Sequence, residues 1–268
     1  TNGAGEGPAW HPHLGLLTSG GGDINQLSPG GSASVFKADV GSNGLLFDHD
    51  GNLLVCEPKQ RRVTRHHLDG KVTVLADTYQ GKRFATPNDI TIDSKGRLYF
   101  TDPRYGPRGD REIVDDAGKP IEGVYRIDLD GTVTRIITHE VDRPNGILVS
   151  ADNKFLYVAD NNNDRRGGAR KLWRFDLRDN GSVTPESRYL VYDWAETRGP
   201  DGMAQDTEGR LYVAAGIHDP KAPIEIAEQP TSGVYVLSPK GDLLDFVAIP
   251  NDEVTNCTFG GPDWKTLF

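Results

Sequence analysis

The amino-acid sequence predicts an all-β fold: a six-bladed β-propeller with four antiparallel strands per blade, read as one domain over residues 1–268. Three observations lead there. A short apolar run set behind a tight turn recurs at 13–17, 50–55, 95–100, 152–158, 208–213 and 262–268, and the turn residues Gly51, Gly96, Asn153 and Gly209 lie 45, 57 and 56 residues apart. That period suits one four-stranded blade with loops of variable length. Apolar and polar residues alternate in runs such as 123–129 and 233–237, the period of a half-buried strand. No long run repeats with the 3.6-residue period of a helix, so a helical bundle is excluded.

The elements follow in order within each unit. The recurring run is one strand, and the alternating run after it is the next. Turns at Asp69-Gly70, Asp130-Gly131, Asn180-Gly181 and Lys240-Gly241 close that strand, with residues that tolerate the positive φ of a tight hairpin. A last run completes the unit, at 72–75, 133–137, 189–192 and 243–247. The sixth unit stops at Phe268 inside its second strand, and the residues before Glu6 are too few to supply the missing pair. An unclosed ring leaves strand edges exposed, so the expectation is a sequence cut at one or both ends.

Composition narrows the function. Of 268 residues, 39 are Asp or Glu and 30 are Lys or Arg, giving a formal charge of −9. Nucleic-acid binding needs clustered cations, and none is present beyond short pairs such as Arg61-Arg62 and Arg165-Arg166. No apolar stretch approaches the ~18 residues of a membrane span. The expected partner is a small molecule, with oligomeric state open and the compartment either cytoplasmic or exported. Cys56 and Cys257 stand far apart and read as two buried thiols.

The start of each innermost strand carries a side-chain oxygen. Eight residues before the turn, or seven in the last unit, stand Glu6, Asn43, Asn88, Asn145, Asp201 and Asn256. One Pro-Asn-Gly is ordinary turn chemistry, but six heads in one phase are not, and Glu6 is a poor turn former. In a propeller these starts face one mouth of the central channel. Carboxylates converging there would repel unless a cation lay between them. Hard oxygen donors select Ca²⁺, then Mg²⁺ or Mn²⁺, with Zn²⁺ a weaker substitute because His and Cys are missing from the heads. His11-Pro12-His13 and His66-His67 read as structural. Loops after each second strand return to the same mouth and offer Arg104, Tyr105 and His218 as substrate contacts. The connection 105–122 is long and reads as a candidate lid.

With these residues in view, the chain resembles the gluconolactonase/regucalcin (senescence marker protein) family of six-bladed propellers. The resemblance rests on Glu6-Gly7-Pro8-Ala9-Trp10, Pro87-Asn88-Asp89, Thr101-Asp102-Pro103, Arg143-Pro144-Asn145-Gly146 and Gly199-Pro200-Asp201-Gly202-Met203. It implies that Glu6, Asn145 and Asp201 bind a divalent metal and that Asn88 contacts the metal, a bound water or the substrate. Thr86 stands where animal lactonase-type members carry a basic residue that meets the sugar. The activity implied is metal-dependent opening of a lactone, with Asp201 as general base or as nucleophile. A phosphotriesterase-like hydrolase using the same metal and a non-catalytic calcium-binding propeller are the alternatives, since one fold hosts many functions. No Gly-x-Ser-x-Gly elbow and no phosphate-cradling loop is present.

Overall fold

The computed structural model describes residues 5–105, 111–226 and 231–268. Every regular element among them is a β-strand, and no helix is long and apolar enough to cross a membrane. The chain divides into two compact units, residues up to Arg135 with Thr258–Phe268, and Ile136–Cys257. Their common motif is a four-stranded antiparallel meander, the blade of a β-propeller.

The first unit opens with a blade of β1 (Glu6–His11), β2 (Gly15–Gly20), β3 (Asp23–Leu27) and β4 (Ala33–Lys37). The second blade is β5 (Leu45–Phe47), β6 (Leu53–Glu57), β7 (Arg62–His66) and β8 (Val72–Ala76). A small hairpin, β9 (Thr78–Tyr79) and β10 (Lys82–Arg83), precedes the third blade of β11 (Ile90–Ile92), β12 (Leu98–Asp102), β13 (Gly123–Ile127) and β14 (Val133–Ile137). The divide between the units falls within β14. The second unit holds the fourth blade, β15 (Pro144–Val149), β16 (Phe155–Asn161), β17 (Arg170–Leu177) and β18 (Val183–Asp193). Its other blade is β19 (Met203–Gln205), β20 (Leu211–Ala215), β21 (Gly233–Leu237) and β22 (Leu243–Ala248).

Among the described residues, the expected six blades with the last incomplete are corrected to five four-stranded blades. The last repeat supplies only β23 (Phe259–Gly260) and β24 (Thr266–Leu267), because residues 258–268 have room for two short strands. This pair lies against β1 within the first unit. Trp10 stacks on Phe268 with ring centroids 5.3 Å apart, and a Cβ at Gly260 would strike the Trp10 ring.

Local chemistry explains the hairpins. Asp48, Asp93 and Asp206 each turn one carboxylate oxygen onto the backbone N–H groups two and four residues on. That bracket is an Asx-type turn, and it leaves Gly51, Gly96 and Gly209 at φ of 80°, 84° and 83°. Ser150 does the same work in the fourth blade, accepting from Phe155 N through its Oγ, with Asn153 at φ 57°. The core lies between sheets. In the first unit Phe84, Phe100 and Tyr125 meet at centroid distances of 5.1–5.5 Å and are fully buried. Each such side chain contributes about 1.5–3 kcal/mol. In the second unit Tyr157, Leu172, Val213 and Tyr235 fill the equivalent layer beside Trp194. Cys56 and Cys257 are free, buried thiols.

Candidate functional site

The oxygen-bearing heads sit at β-bulges. In the second blade, Asn43 N donates to Cys56 O while Cys56 N donates to Gly44 O, so two residues face one. Asn88 and Asp89 face Thr101 in the same way, and Asp201 and Gly202 face Ala214. In β15 the register slips by one between Pro144 and Ile147, around Asn145-Gly146. In β1 it slips between Glu6 and Ala9. A bulge adds one residue, bends its strand and re-aims a side chain. The repeated letters at the heads thus have one structural cause in all five blades.

The glycine after the head oxygen has its own reason. A Cβ at Gly44 would lie 2.6 Å from Asn88 O, and one at Gly146 would collide with the backbone carbonyl of Asp201. At each the backbone leading into the next blade's first strand leaves no room for a side chain. At Gly202 the space is taken by the side chain of Asn256, whose Oδ1 accepts from Cys257 N at 2.8 Å. Asn256 is therefore committed to its own turn.

Buried carboxylates hold the segments that lead into two heads. Asp102 Oδ2 accepts from Ala85 N at 2.8 Å, three residues before Asn88. Asp160 accepts from Arg143 N at 2.9 Å and Asp142 N at 3.1 Å, just before Asn145, and from Trp173 Nε1 at 3.0 Å. Burial pushes the Asp160 carboxyl above its ordinary pKa, against the opposing pull of those hydrogen bonds.

In the first unit Glu6 is half-buried, and Asn88 is 8% exposed. In the second, Asn145 is 4% exposed and Asp201 is half-buried. Asp201 Oδ2 lies 3.5 Å from Asn161 Nδ2 at the end of β16. Nothing in the sequence singled out Asn161, because an Asn-rich loop reads as turn. Each unit thus offers one carboxylate and one amide among these heads, all of them oxygen donors. Among the described residues no three His, Cys, Asp or Glu gather into a metal cluster. Such oxygen donors fit a hard divalent cation and are ill-suited to tetrahedral Zn²⁺.

The expected substrate contacts are placed as follows. Arg104 is half-buried, with its N–H on Glu122 Oε2 at 2.8 Å and its Nε 3.6 Å from Glu122 Oε1. Tyr105 beside it is half-buried. His218 is exposed, and its Nε2 meets Ile249 O at 2.7 Å. Thr86 donates to Pro103 O at 2.7 Å. Residues 106–110 of the expected lid lie outside the described residues. In the rest of it Val114 bridges Pro120, and Glu112 accepts from Arg83 N at 2.9 Å. The two His pairs are structural. His11 Nδ1 accepts from the backbone of His13, 3.2 Å away. Lys37 Nζ donates to His66 Nδ1 at 3.0 Å, which leaves the His66 proton on Nε2, facing Thr64 and Glu57.

These features define a chain of β-propeller blades with bulge-mounted oxygen donors. A profile of the SMP-30/gluconolactonase/LRE-like region matches residues 4–268, and the chain belongs to that family. It is 32% identical over 256 residues to a gluconolactonase of Zymomonas mobilis, covering 90% of this chain and 65% of that protein. A solved gluconolactonase structure from Xanthomonas campestris superposes with a TM-score of 0.76 at 28% identity, covering 95% of this chain and 78% of that one. The calcium-binding regucalcin of Agrobacterium tumefaciens, at 19% identity and a TM-score of 0.73 over 98% of this chain and 80% of its own, shares the fold.

Proposed function

We propose that this chain hydrolyses a lactone, opening a cyclic ester of the sugar-acid type, with one divalent cation held by Glu6, Asn88, Asn145 and Asp201. Ca²⁺ is the first choice of ion. The observation that carries the reading is the bulge at five of the six heads, Glu6, Asn43, Asn88, Asn145 and Asp201, which sets hard oxygen donors in one structural phase. The similarity to gluconolactonases from Zymomonas and Xanthomonas supports the substrate class.

Such a cation supplies Lewis-acid polarisation of the ester carbonyl and a lowered pKa for water. The chain's own residues do the rest. As general base, an Asp201 carboxylate oxygen takes the proton as water adds to the carbonyl carbon and returns it to the ring oxygen as the ring C–O bond breaks, giving a hydroxyl and a carboxylic acid that ionises. As nucleophile, Asp201 would attack that carbon itself, the ring C–O bond would break to leave an acyl–aspartyl anhydride and a ring oxygen that takes a proton from water, and a second water would hydrolyse the anhydride to free the acid and Asp201. Asn88 orients the carbonyl through its side-chain amide. Arg104, Tyr105 and His218 contact the ring hydroxyls, with Arg104 steadied by Glu122.

Acid release from a panel of sugar lactones, followed at constant pH with Ca²⁺, Mg²⁺ or Mn²⁺, tests the reading. Turnover that chelator abolishes and the ion restores is expected. Asp201→Asn should lower kcat at least ~100-fold, the usual range for a lost acid–base group. Full activity in Asp201→Asn, or no turnover of any lactone with any of the ions, overturns it.

A further inference from the structure

We propose that Arg170, Asn163 and Asn161 are positioning residues: a one-way chain of hydrogen bonds that fixes the carboxylate of Asp201 in one orientation. The inference rests on the reading of Asp201 as ion ligand and proton acceptor.

Every link lies in the second unit. Arg170 opens β17 and is 1% exposed. Its Nε donates to Asn163 Oδ1 at 3.1 Å. Asn163 Nδ2 donates to Asn161 Oδ1, and Asn161 Nδ2 faces Asp201 Oδ2 at 3.5 Å. That last bond is long, as bonds at a reacting group are before substrate tightens them.

The direction of the chain follows from its ends. A guanidinium only donates, and a carboxylate only accepts. Arg170 therefore turns the oxygen of Asn163 toward itself and its amide nitrogen toward Asn161. Asn161 must accept from Asn163 and so presents its own nitrogen to Asp201. Each amide has one orientation that satisfies both neighbours. Gly199 N, at 3.2 Å from Asn163 Oδ1, reinforces the same choice. Arg170 is pinned in turn, with Nη2 on Ile224 O at 3.0 Å.

The Glu225 and Glu196 carboxylates act on the Arg170 charge only from beyond contact distance. Arg170 makes no ion pair with a carboxylate among the described residues, and its Nη1 is buried without a hydrogen-bond partner. A buried cation at one end of an amide chain polarises each bond toward the far end. The Nε of Arg170 is spent on an asparagine that leads to Asp201 and not on an acid in direct contact.

Two variants test it in the whole chain. Asn161→Ala removes the donor to Asp201. Loss of such outer partners costs 10–100-fold in activity or metal affinity, so kcat should fall about tenfold with KM within about twofold. Ca²⁺ affinity, read by titration calorimetry without substrate, should weaken at least ~threefold. Asn163→Asp keeps the acceptor for Arg170 and Gly199 but abolishes the donor to Asn161. It should melt at the parent temperature yet lose kcat in the same direction, which a purely structural role would not produce. If Asn161→Ala is unfolded, Asn161→Ser makes the same measurement. Ca²⁺ affinity and kcat both near parental in the Asn161 variant, or parental kcat in Asn163→Asp, overturns the chain. Full turnover in Asp201→Asn would instead sink the reading beneath it, while calcium titration of the Asn161 variant still reports on the chain.

Discussion

Glu57 in the second blade and Asp160 in the fourth hold the same place in their sheets. Each follows the residue that faces the head bulge, Cys56 in one and Ala159 in the other. They differ by one methylene, and the consequence is large. Asp160 is short, so it accepts from the backbone of Asp142 and Arg143, ahead of Asn145, and reaches the third strand only because the long Trp173 indole comes to it at 3.0 Å. Glu57 reaches past that position to the third strand, where it accepts from Arg62 Nε at 2.6 Å and Thr64 Oγ1 at 2.6 Å. Their titration diverges accordingly. Burial, the largest influence on both, raises Asp160. In Glu57 burial is outweighed by bonds from His66, Thr64 and Arg62, and the carboxyl falls below its ordinary pKa. Both thus tie the second strand to the third, but only Asp160 also braces the backbone that leads into a head.

The sharpest way to break this comparison is to truncate both. Asp160→Ala strands two buried backbone donors and the Trp173 indole, and should lower stability by about 2–4 kcal/mol in urea unfolding. It should also reduce lactone turnover about tenfold, because Asn145 loses its brace. A smaller effect is expected from Glu57→Ala. Arg62 is partly exposed and can turn to water, while Thr64 and His66 remain buried. About 1–2 kcal/mol should be lost, with turnover unchanged. Equal effects of the two changes on turnover would show that position, not reach, decides the role.

The subtlest contrast lies in pH. Glu57 has a depressed folded pKa, so the stability it adds is full at neutral pH and disappears as pH falls through that pKa. The gap between parent and Glu57→Gln should therefore close on acidification. Asp160 has a raised folded pKa, so its charged form is the disfavoured one in the folded chain. As pH falls from the folded to the unfolded pKa, the parent gains on Asp160→Asn. Urea midpoints taken across the acid range should slope in opposite directions for the two pairs.

Much of the blade structure was legible in the sequence. The turn spacing of Gly51, Gly96, Asn153 and Gly209 locates the first hairpin of four blades, because a positive φ and a short apolar run are local properties. The strand over 133–137 matches β14 in full. The run at 189–192 covers only part of the outer strand of the fourth blade, since β18 begins at Val183, where charged residues mask a solvent-facing strand. The hairpin of β9 and β10 has no signal in the sequence, being too short to show a period. The heads were found by phase, but their bulges were not. A bulge depends on what the partner strand offers, and Asn-Gly alone reads as a turn. Asn161 is not legible in the sequence for a related reason: its orientation is imposed by Arg170, which belongs to another strand.

The bare α-carbons at Gly44 and Gly146 carry a further consequence. Each sets the separation between its own blade and the next at a single place, where a methyl group would already meet a carbonyl. Because that clearance is fixed at the innermost strand, distal strands are free to differ, from five residues in β4 to eleven in β18. A designer could lengthen, shorten or decorate the peripheral hairpins and leave adjacent sheets in register. The same freedom does not extend to one added carbon at these junctions.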